Sequence, residues 1–468
     1  MKASDPIAFI DERVGKAAVV RKALRYVFPD HWTFLLGEMA LYSFIVLVAT
    51  GIYLALFFEP SLRETVYRGT YEPLQGREMS AAYASGLRLS FEVKAGLLLR
   101  QTHHWAANLF LVAIALHFMR VFFTGAFRKP RELTYLIGLT MLGLAIVEGY
   151  LGYSLLDDLL SGMGLAIGYA VVLSIPFVGG NLGLLLWGSE YPGAEDFISR
   201  LYIAHVLIVP VAIATLIALH LLLIALTKHG QFREGAKRET NVIGTPMWPG
   251  YAMRSTGFLL AVVAVLLLLG GLVQINPIWL WGPYETWLGT NGAQPDWYAG
   301  WLIGALRLMP GFDLTIGDYT VAANAFWGGL LFPLVLFAFL AVYPLLERRF
   351  ARDRAYHHLL DRPRDAPNRT GIGWALITLV TAVLLAGSAD RITVQTWLSY
   401  EAQTWFWRIA VFVLPVVAFY VARRISRELK TDERRPLLGE AGAPPLEDEI
   451  PPGALEPIGA SADGHPQK

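Results

Sequence analysis

The sequence contains no cysteine. That absence excludes structural disulfides, iron–sulfur clusters held by cysteine thiolates, and haem attached through cysteine within this chain. Charged residues are also scarce, at 16% of the 468 residues, whereas soluble domains carry about 25%. The net charge of +1 says nothing about nucleic acid, and we expect no nucleic-acid partner.

The sequence contains long apolar segments. Hydrophobic residues make up 55% of the chain, and a helix needs about 20 apolar residues to cross the hydrocarbon core of a bilayer. Eight segments are long enough, which predicts an all-α, polytopic protein in a lipid membrane. The predicted spans are residues 33–58, 98–123, 133–155, 199–226, 254–275, 322–346, 371–388 and 404–423.

Arginine and lysine are concentrated in alternate connections. They precede the first span and follow the second, fourth, sixth and eighth spans, whereas the intervening loops are balanced or acidic. The positive-inside rule therefore places both termini and all the basic loops in the cytoplasm. On this topology the second and fourth spans both run from the outside to the inside.

Four histidines inside two of these spans are the most informative feature. His103 and His117 lie in the second span, 14 residues apart. His205 and His220 lie in the fourth span, 15 residues apart. At about 100° per residue, 14 steps end roughly 40° short of whole turns and 15 steps roughly 60° past them, so each pair points broadly to one side of its helix.

The direction of the spans pairs these histidines by depth. His103 and His205 should meet near the outer face, and His117 and His220 near the inner face. Two imidazoles from facing helices are the natural axial ligands of a six-coordinate haem iron. The sequence therefore predicts two non-covalently bound haem b groups, stacked across the bilayer, with these four histidines as the iron ligands.

A single histidine in an apolar segment is more often a hydrogen-bonded helix contact than a ligand. Ionisable residues are costly inside a membrane, however, and two pairs at nearly equal spacing indicate a function. His104 serves as an internal control, because it lies 13 residues from His117 and roughly 140° away on the helical wheel. We interpret His104 as a structural or surface-facing residue that cannot share the haem face.

Glycines recur at the same interval in the neighbouring spans. Gly37 and Gly51 in the first span are 14 residues apart, as are Gly138 and Gly152 in the third. Glycine permits a flat porphyrin ring to approach a helix backbone, so notches are predicted at both haem levels. Arginines beside the spans could bind haem propionates, although interfacial snorkelling is the alternative. These arginines are Arg100, Arg120 and Arg200.

The remainder of the chain divides around the spans. We assign residues 1–30 to a cytoplasmic N-terminal segment, in which residues 11–28 form an amphipathic helix or, alternatively, a merely solvated one. Residues 31–230 form a dihaem four-helix bundle, and residues 231–430 a C-terminal four-helix membrane domain with a long outer loop. Residues 431–468 are rich in Pro, Gly, Ala, Asp and Glu, which predicts a disordered cytoplasmic tail.

Several short motifs, together with the histidine and glycine pairs, resemble one family. They are GYSLLDD from Gly152, SIPFVG at 174–179, SR before the fourth span, and QPDWY at 294–298 followed by GALRLMP. Over about residues 30–425 the chain resembles cytochrome b of the quinol–cytochrome c oxidoreductase, the cytochrome bc complex. Asp296 stands where the family usually has glutamate in Pro-Glu-Trp-Tyr. This variant and the phrase INPIWLWGPYE resemble the actinobacterial branch.

The resemblance implies a subunit of a respiratory menaquinol–cytochrome c reductase, a translocase of the EC 7.1.1.8 type, in a bacterial plasma membrane. It implies a Rieske iron–sulfur protein, a dihaem cytochrome c subunit and a terminal oxidase in a supercomplex as partners, and a homodimeric complex. Quinol would be oxidised near the outer face, with one electron passing to the Rieske cluster. The other would cross the two haems to quinone near the inner face, which contributes to the proton gradient.

Within this resemblance, Asp296 and Tyr298 are the predicted catalytic residues. A carboxylate within hydrogen-bond reach of quinol can accept its proton, and the tyrosine can supply a hydrogen bond. Taken alone, they would be a helix-capping or turn aspartate and an interfacial aromatic residue. The chain departs from the family at Leu156, usually proline, and at Ile303, often aromatic. For the inner quinone site, location alone indicates Lys228, His229 and Glu38.

Two other functions remain open from the sequence. A transporter could use intramembrane histidines as a proton relay, but it would need neither haem nor matched glycines. A haem-bearing membrane anchor of a dehydrogenase would explain the histidines but not the segment Pro295–Tyr298. An absorption spectrum would distinguish the transporter from both haem proteins.

Overall fold

A computed structural model describes residues 17–289 and 295–442, with side chains described from residue 21 to residue 431 of these ranges. In this part of the chain, eight helices are long and apolar enough to cross a membrane, which confirms the predicted all-α, polytopic fold. The spans are Trp32–Ala55, Gly96–Phe123, Glu132–Leu156, Phe197–Thr227, Met247–Leu272, Asn324–Ala351, Pro367–Gly387 and Tyr400–Thr431.

Shorter elements occupy the connections. Six further α-helices are described, and they are Ala17–Leu24, Ala81–Phe91, Leu159–Leu173, Gly179–Trp187, Trp297–Leu308 and Ala389–Gln395. Three pairs of short strands are antiparallel: Val27–Phe28 with Thr245–Pro246, Glu64–Val66 with Glu78–Ser80, and Leu314–Ile316 with Tyr319–Ala322. Gln231–Phe232 and Leu359–Leu360 form a parallel pair. These strand pairs connect loops to one another or close a single loop, and they do not form a separate domain.

Contacts between loops show which connections lie on the same side of the helix assembly. On one side, Arg131 donates hydrogen bonds to the carbonyl oxygens of Lys228 and His357, which joins the loops after the second, fourth and sixth spans. On the other side, Arg77 binds Glu285 at 3.2 Å, which joins the loop after the first span to the loop after the fifth. The spans therefore alternate in direction, and the arginine-rich loops gather on the same side.

The first four spans pack around an apolar cluster at mid-height. Its buried members come from all four of these spans and from the helix Trp297–Leu308, and they include Ala40, Phe110, Ile114, Met141 and Ile213. Phe110 and Ile114 lie between the two histidines of the second span in sequence, and Ile213 lies between those of the fourth. Because lipid is as apolar as these side chains, the cluster is held by close van der Waals packing rather than by exclusion of water. It separates the two histidine levels.

Two spans contain a widened helical turn directly before a proline. In the fourth span the N–H of Val209 bonds to the carbonyl of Ala204, five residues earlier, and Pro210 follows. In the sixth span the N–H of Phe332 bonds in the same way to Trp327, and Pro333 follows. Proline has no amide hydrogen and its ring clashes with the carbonyl four residues earlier. An i→i+5 turn is a way to accommodate that clash without breaking the helix.

The two ends of the chain agree only in part with the sequence expectations. The helix Ala17–Leu24 lies within the predicted amphipathic segment, of which residues 11–16 fall outside the described part. The last helix continues to Gly442, so residues 431–442 have helical backbone where a disordered tail was expected to begin. Its glutamate, arginine and leucine residues favour a helix. Residues 443–468 lie outside the described residues, and the division into four regions stays a prediction.

Candidate functional site

The four intramembrane histidines meet in two pairs between the second and fourth spans. The ring centroids of His103 and His205 are 6.3 Å apart, with ring planes at 80°. Those of His117 and His220 are 6.5 Å apart, at 71°. A metal ion held at about 2.0 Å by one nitrogen of each ring would place the centroids roughly 6 Å apart. Both pairs therefore have the spacing that a shared iron requires.

The widened turn in the fourth span explains why two unequal sequence intervals give matching pairs. In regular helices, intervals of 14 and 15 residues differ by about 100° in direction, which is the rotation of one residue. The turn Ala204–Ile208 holds one residue more than an α-helical turn. That extra residue absorbs the difference, so His205 and His220 can both face the second span.

Each of the four predicted glycines faces one of these histidines. The pairs are Gly37 with His117, Gly51 with His103, Gly138 with His220, and Gly152 with His205. A β-carbon added to Gly51 would lie 3.3 Å from the His103 ring, and one added to Gly152 would lie 2.8 Å from His205 Nε2. A side chain at these positions would enter the space beside the imidazoles. The absence of side chains at these glycines thus leaves space beside the imidazoles that a flat ring could occupy.

Two polar residues near the outer pair were not anticipated from the sequence. Thr50 Oγ1 lies 2.9 Å from His103 Nδ1, within hydrogen-bond distance. Glu148 Oε1 lies 2.9 Å from His205 Nδ1, although without the alignment of a hydrogen bond. Partners on Nδ1 leave Nε2 as the nitrogen that would bind iron. An ionisable glutamate within a span is itself a signal, and it could have marked Glu148.

The three arginines predicted to bind propionates differ in whether their guanidinium groups already have partners within the protein. Arg100 and Arg120 are buried, and in the described part the Nε and Nη2 atoms of both have no hydrogen-bond partner. They stand three residues from His103 and His117 respectively, on the outer and inner ends of the second span. Arg200, by contrast, is half-exposed and donates to Asp196 Oδ2 at 2.8 Å, so its charge is already paired with a carboxylate.

Arg100 donates from Nη1 to the carbonyl of Asn276 at 3.1 Å, which leaves its Nε and Nη2 unpaired. Buried N–H donors of a guanidinium are costly to leave unpaired unless an anion accepts from them. Haem propionates are carboxylates and would do so at both levels. Facing imidazoles, space cleared by glycine and unsatisfied guanidinium donors therefore fit a haem at each depth.

The outer loop brings Asp296 against the second span. Asp296 occupies the N-cap position of the helix Trp297–Leu308, but its side chain makes no capping hydrogen bond. Its Oδ2 instead lies 2.7 Å from Nε2 of His104. The surface-facing interpretation of His104 is thus wrong, because its side chain is only 14% exposed and is held by Asp296. The capping alternative for Asp296 does not describe its contacts either.

Tyr298 is buried under the third span. A β-carbon on Gly149 would lie 2.7 Å from its hydroxyl oxygen, so the tyrosine packs directly on that helix. Burial, with a further contribution from the charge of Asp296, raises the pKa of Tyr298 well above its ordinary value. The phenol therefore stays protonated at neutral pH. It can take part in a hydrogen bond but cannot serve as a base.

Comparisons with known proteins agree with this geometry. Residues 108–283 match the family described as Cytochrome b(N-terminal)/b6/petB. The cytochrome bc1 complex cytochrome b subunit of Streptomyces coelicolor is 46% identical over 428 residues, which cover 92% of this chain and 78% of that protein. The subunit of the same name from Mycobacterium leprae is 45% identical over 463 residues, which cover 98% and 83%. The chain belongs to this cytochrome b family.

A solved chain of a hyperthermophilic respiratory Complex III has a similar fold, with a TM-score of 0.66 at 18% identity over 90% of this chain and 99% of that one. Membership of the cytochrome b family makes the chain a multi-pass subunit of a bc1-type quinol–cytochrome c oxidoreductase, with a role in respiratory electron transport. It implies haem b and further subunits. The resemblance to the actinobacterial branch is confirmed.

The loop after the third span has a defined shape despite Leu156. Asp157 adopts a left-handed backbone with φ of 50°, and Asp158 then caps the helix Leu159–Leu173 in a reciprocal pair with Ser161. Burial raises the pKa of Asp157 to about 7 and that of Asp158 to about 6. This cytochrome b therefore carries two buried carboxyl groups on the same side as Asp296, and both take up protons near neutral pH.

The inner side of this cytochrome b brings Glu38 and His229 around Phe28. Tyr251 donates to Glu38 Oε1 at 2.6 Å and stacks on Phe28 at 3.7 Å, while Phe28 lies 5.1 Å from His229. Tyr26 is 3.0 Å from His229 Nδ1. Burial and nearby arginines lower the pKa of His229 to about 4, so it is neutral. An adjoining cavity of about 600 Å³ is lined by Arg21, Lys22, Arg25, Tyr26, Val27, Lys228 and Val242.

Proposed function

We propose that the chain oxidises menaquinol on the outer side of the membrane and conducts electrons towards a quinone-reduction site on the inner side. The observation that supports this proposal is the pair of stacked histidine sites with a partly buried aspartate, Asp296, beside the outer site. Asp296 contacts His104, and the preceding residue, His103, belongs to the outer histidine pair. A proton acceptor and an electron acceptor would therefore stand next to one another.

The haems would be held at two depths. His103 and His205 would bind the outer iron, with space at Gly51 and Gly152 and with Arg100 near a propionate. The inner iron would be bound by His117 and His220, with Gly37, Gly138 and Arg120 in the equivalent roles. When bound, the two groups would supply one-electron carriers at two depths, since His103 and His117 are separated by about 21 Å along the second span.

The chain's own residues would handle the quinol protons. Asp296 would accept a proton from a quinol hydroxyl, because it is the carboxylate of the Pro-Asp-Trp-Tyr segment and is partly accessible. Tyr298, protonated at neutral pH, would hydrogen-bond rather than accept a proton. On the inner side, Glu38 and His229 would face the quinone that is reduced, with Tyr26 and Tyr251 holding them in place.

The partners and location follow from the bc1 names of the relatives and from the actinobacterial resemblance. We propose a Rieske iron–sulfur protein as the first electron acceptor and a dihaem cytochrome c subunit as the next. A homodimeric complex in the plasma membrane, joined to a terminal oxidase, completes the proposal. Both termini would lie in the cytoplasm, because the arginine-rich loops gather on their side.

The haem content tests this proposal directly. We expect two haem b groups per chain, because both histidine pairs have the spacing for a shared iron. Acid-acetone extraction of the purified complex separates non-covalent haem from covalently attached haem, and a pyridine haemochrome assay then counts it. A ratio of one, or none, would remove the four-ligand assignment.

The orientation is tested by reporter fusions. Fusions after residues 240 and 365 should report the cytoplasm, because both loops are strongly basic, and a fusion near residue 290 should report the outside. A cytoplasmic marker that becomes active only inside and an exported marker that becomes active only outside serve as each other's control. An inverted pattern would place Asp296 on the wrong side for proton release.

A further inference from the structure

Two adjacent histidines of the second span, His103 and His104, lie at the same height but on different faces of the helix. His103 points to the fourth span, where it meets His205. The next residue, His104, points to the outer loop, where Nε2 lies 2.7 Å from Asp296 Oδ2. Both side chains of this contact are mostly buried, at 14% and 19% exposure. A short contact that is largely shielded from water holds its partners firmly.

A second contact lies one helical turn further along the same face. Trp297 donates from Nε1 to Asn108 Oδ1 at 2.7 Å, and Asn108 donates from Nδ2 to the carbonyl of His104 at 3.1 Å. Residues four apart lie above one another on a helix. His104 and Asn108 therefore form a clamp that holds two consecutive residues of the loop, Asp296 and Trp297.

Helix capping does not account for this arrangement. An aspartate at an N-cap ordinarily accepts a hydrogen bond from the backbone N–H two or three residues later. Asp296 occupies that position but makes no such bond, and its carboxylate reaches instead to a residue 192 positions away in sequence. The contact is tertiary, so its effect is to place the carboxylate relative to the second span.

We propose that His104 and Asn108 are positioning residues for quinol oxidation, which fix the Asp296 carboxylate beside the outer histidine pair. The inference rests on the proposed role of Asp296 as proton acceptor. His104 donates from Nε2 to Asp296 Oδ2, so that the other carboxylate oxygen is directed to the quinol. Since His103 and His104 are consecutive, one rigid helix sets the separation between the outer iron site and the base.

A double-mutant cycle in the intact complex tests this inference. The variants are His104→Leu, Asp296→Asn and their combination, with His104→Gln as a matched control that keeps a side-chain N–H donor. The readouts are steady-state oxidation of a water-soluble naphthoquinol and the reduced-minus-oxidised haem spectrum. We expect His104→Leu to slow oxidation by about 10- to 100-fold, the effect of a misplaced catalytic group, with both haems retained. His104→Gln should recover most of the rate.

The combined variant separates positioning from a merely structural role. If His104 acts through Asp296, the double variant should be no slower than Asp296→Asn alone. Multiplied losses, or a haem lost from His104→Leu, would overturn the inference. A slow Asp296→Asn with a normal His104→Leu would overturn the inference and leave the proposed function standing. A fully active Asp296→Asn would instead remove the proposed role of Asp296, and the inference with it.

Discussion

Asp296→Asn is expected to slow quinol oxidation by roughly 100- to 10,000-fold, the usual worth of general-base help. Asparagine keeps the size of the side chain and can still accept a hydrogen bond from His104, but it cannot take up a proton at neutral pH. The haem spectrum should be unchanged, because Asp296 contacts His104 and not one of the four paired histidines. The measurement is steady-state quinol oxidation, with haem reduction followed in parallel.

The control for this variant is Asp296→Glu. Glutamate restores the residue that the family usually has in this motif and keeps the carboxylate, so substantial activity should remain. A longer side chain changes the geometry at His104, and some loss is expected for that reason. Full activity of the asparagine variant, with an unchanged pH profile, would take Asp296 out of the proton path and leave it a structural part of the loop.

His117→Leu should remove the inner haem and leave the outer one. Leucine has no lone pair for iron, and His220 alone, 6.5 Å away across the pair, would leave the iron with one axial ligand. The outer pair contacts neither residue and should retain its haem. Extractable haem b should therefore fall from two per chain to one, and the redox difference spectrum should lose one of its two components.

His104→Leu is the matched control, because it makes the same substitution on the same helix beside a proposed ligand. It should leave both haems in place, since His104 faces Asp296 rather than the fourth span. If His104→Leu loses a haem while His103→Leu keeps it, the assignment of the helix faces is reversed.

Much of this architecture follows from local sequence. The eight spans follow from the length of the apolar segments. For most helix termini, the position in the structure differs from the predicted one by a few residues. The interval between Gly37 and Gly51 repeats that between His103 and His117, and each glycine faces one of those histidines. Such patterns are readable because a helix turns by a fixed angle per residue, so one interval serves neighbouring helices alike.

Other parts of the site could not be predicted, because they depend on where distant segments meet. The partner of His104 lies 192 residues away, and no periodicity within the second span points to it. The helical wheel placed His104 on a different side of the second span from His103 and His117, but it could not identify the residue that His104 contacts. Arg200 was grouped with Arg100 and Arg120 by position, yet a neighbouring aspartate four residues earlier already binds its guanidinium. The sequence alone does not show which arginines have a carboxylate partner in the folded protein and which do not.

The widened turn before Pro210 has a consequence for how such sites are recognised. Ligand motifs are commonly written as fixed intervals, and a search for two histidines 14 positions apart would find His103 and His117 but pass over His205 and His220. The extra residue in the turn Ala204–Ile208 changes the count without changing the direction of the side chains. A motif for this fold is better written in helical angle, with an allowance of one residue wherever proline follows the first ligand.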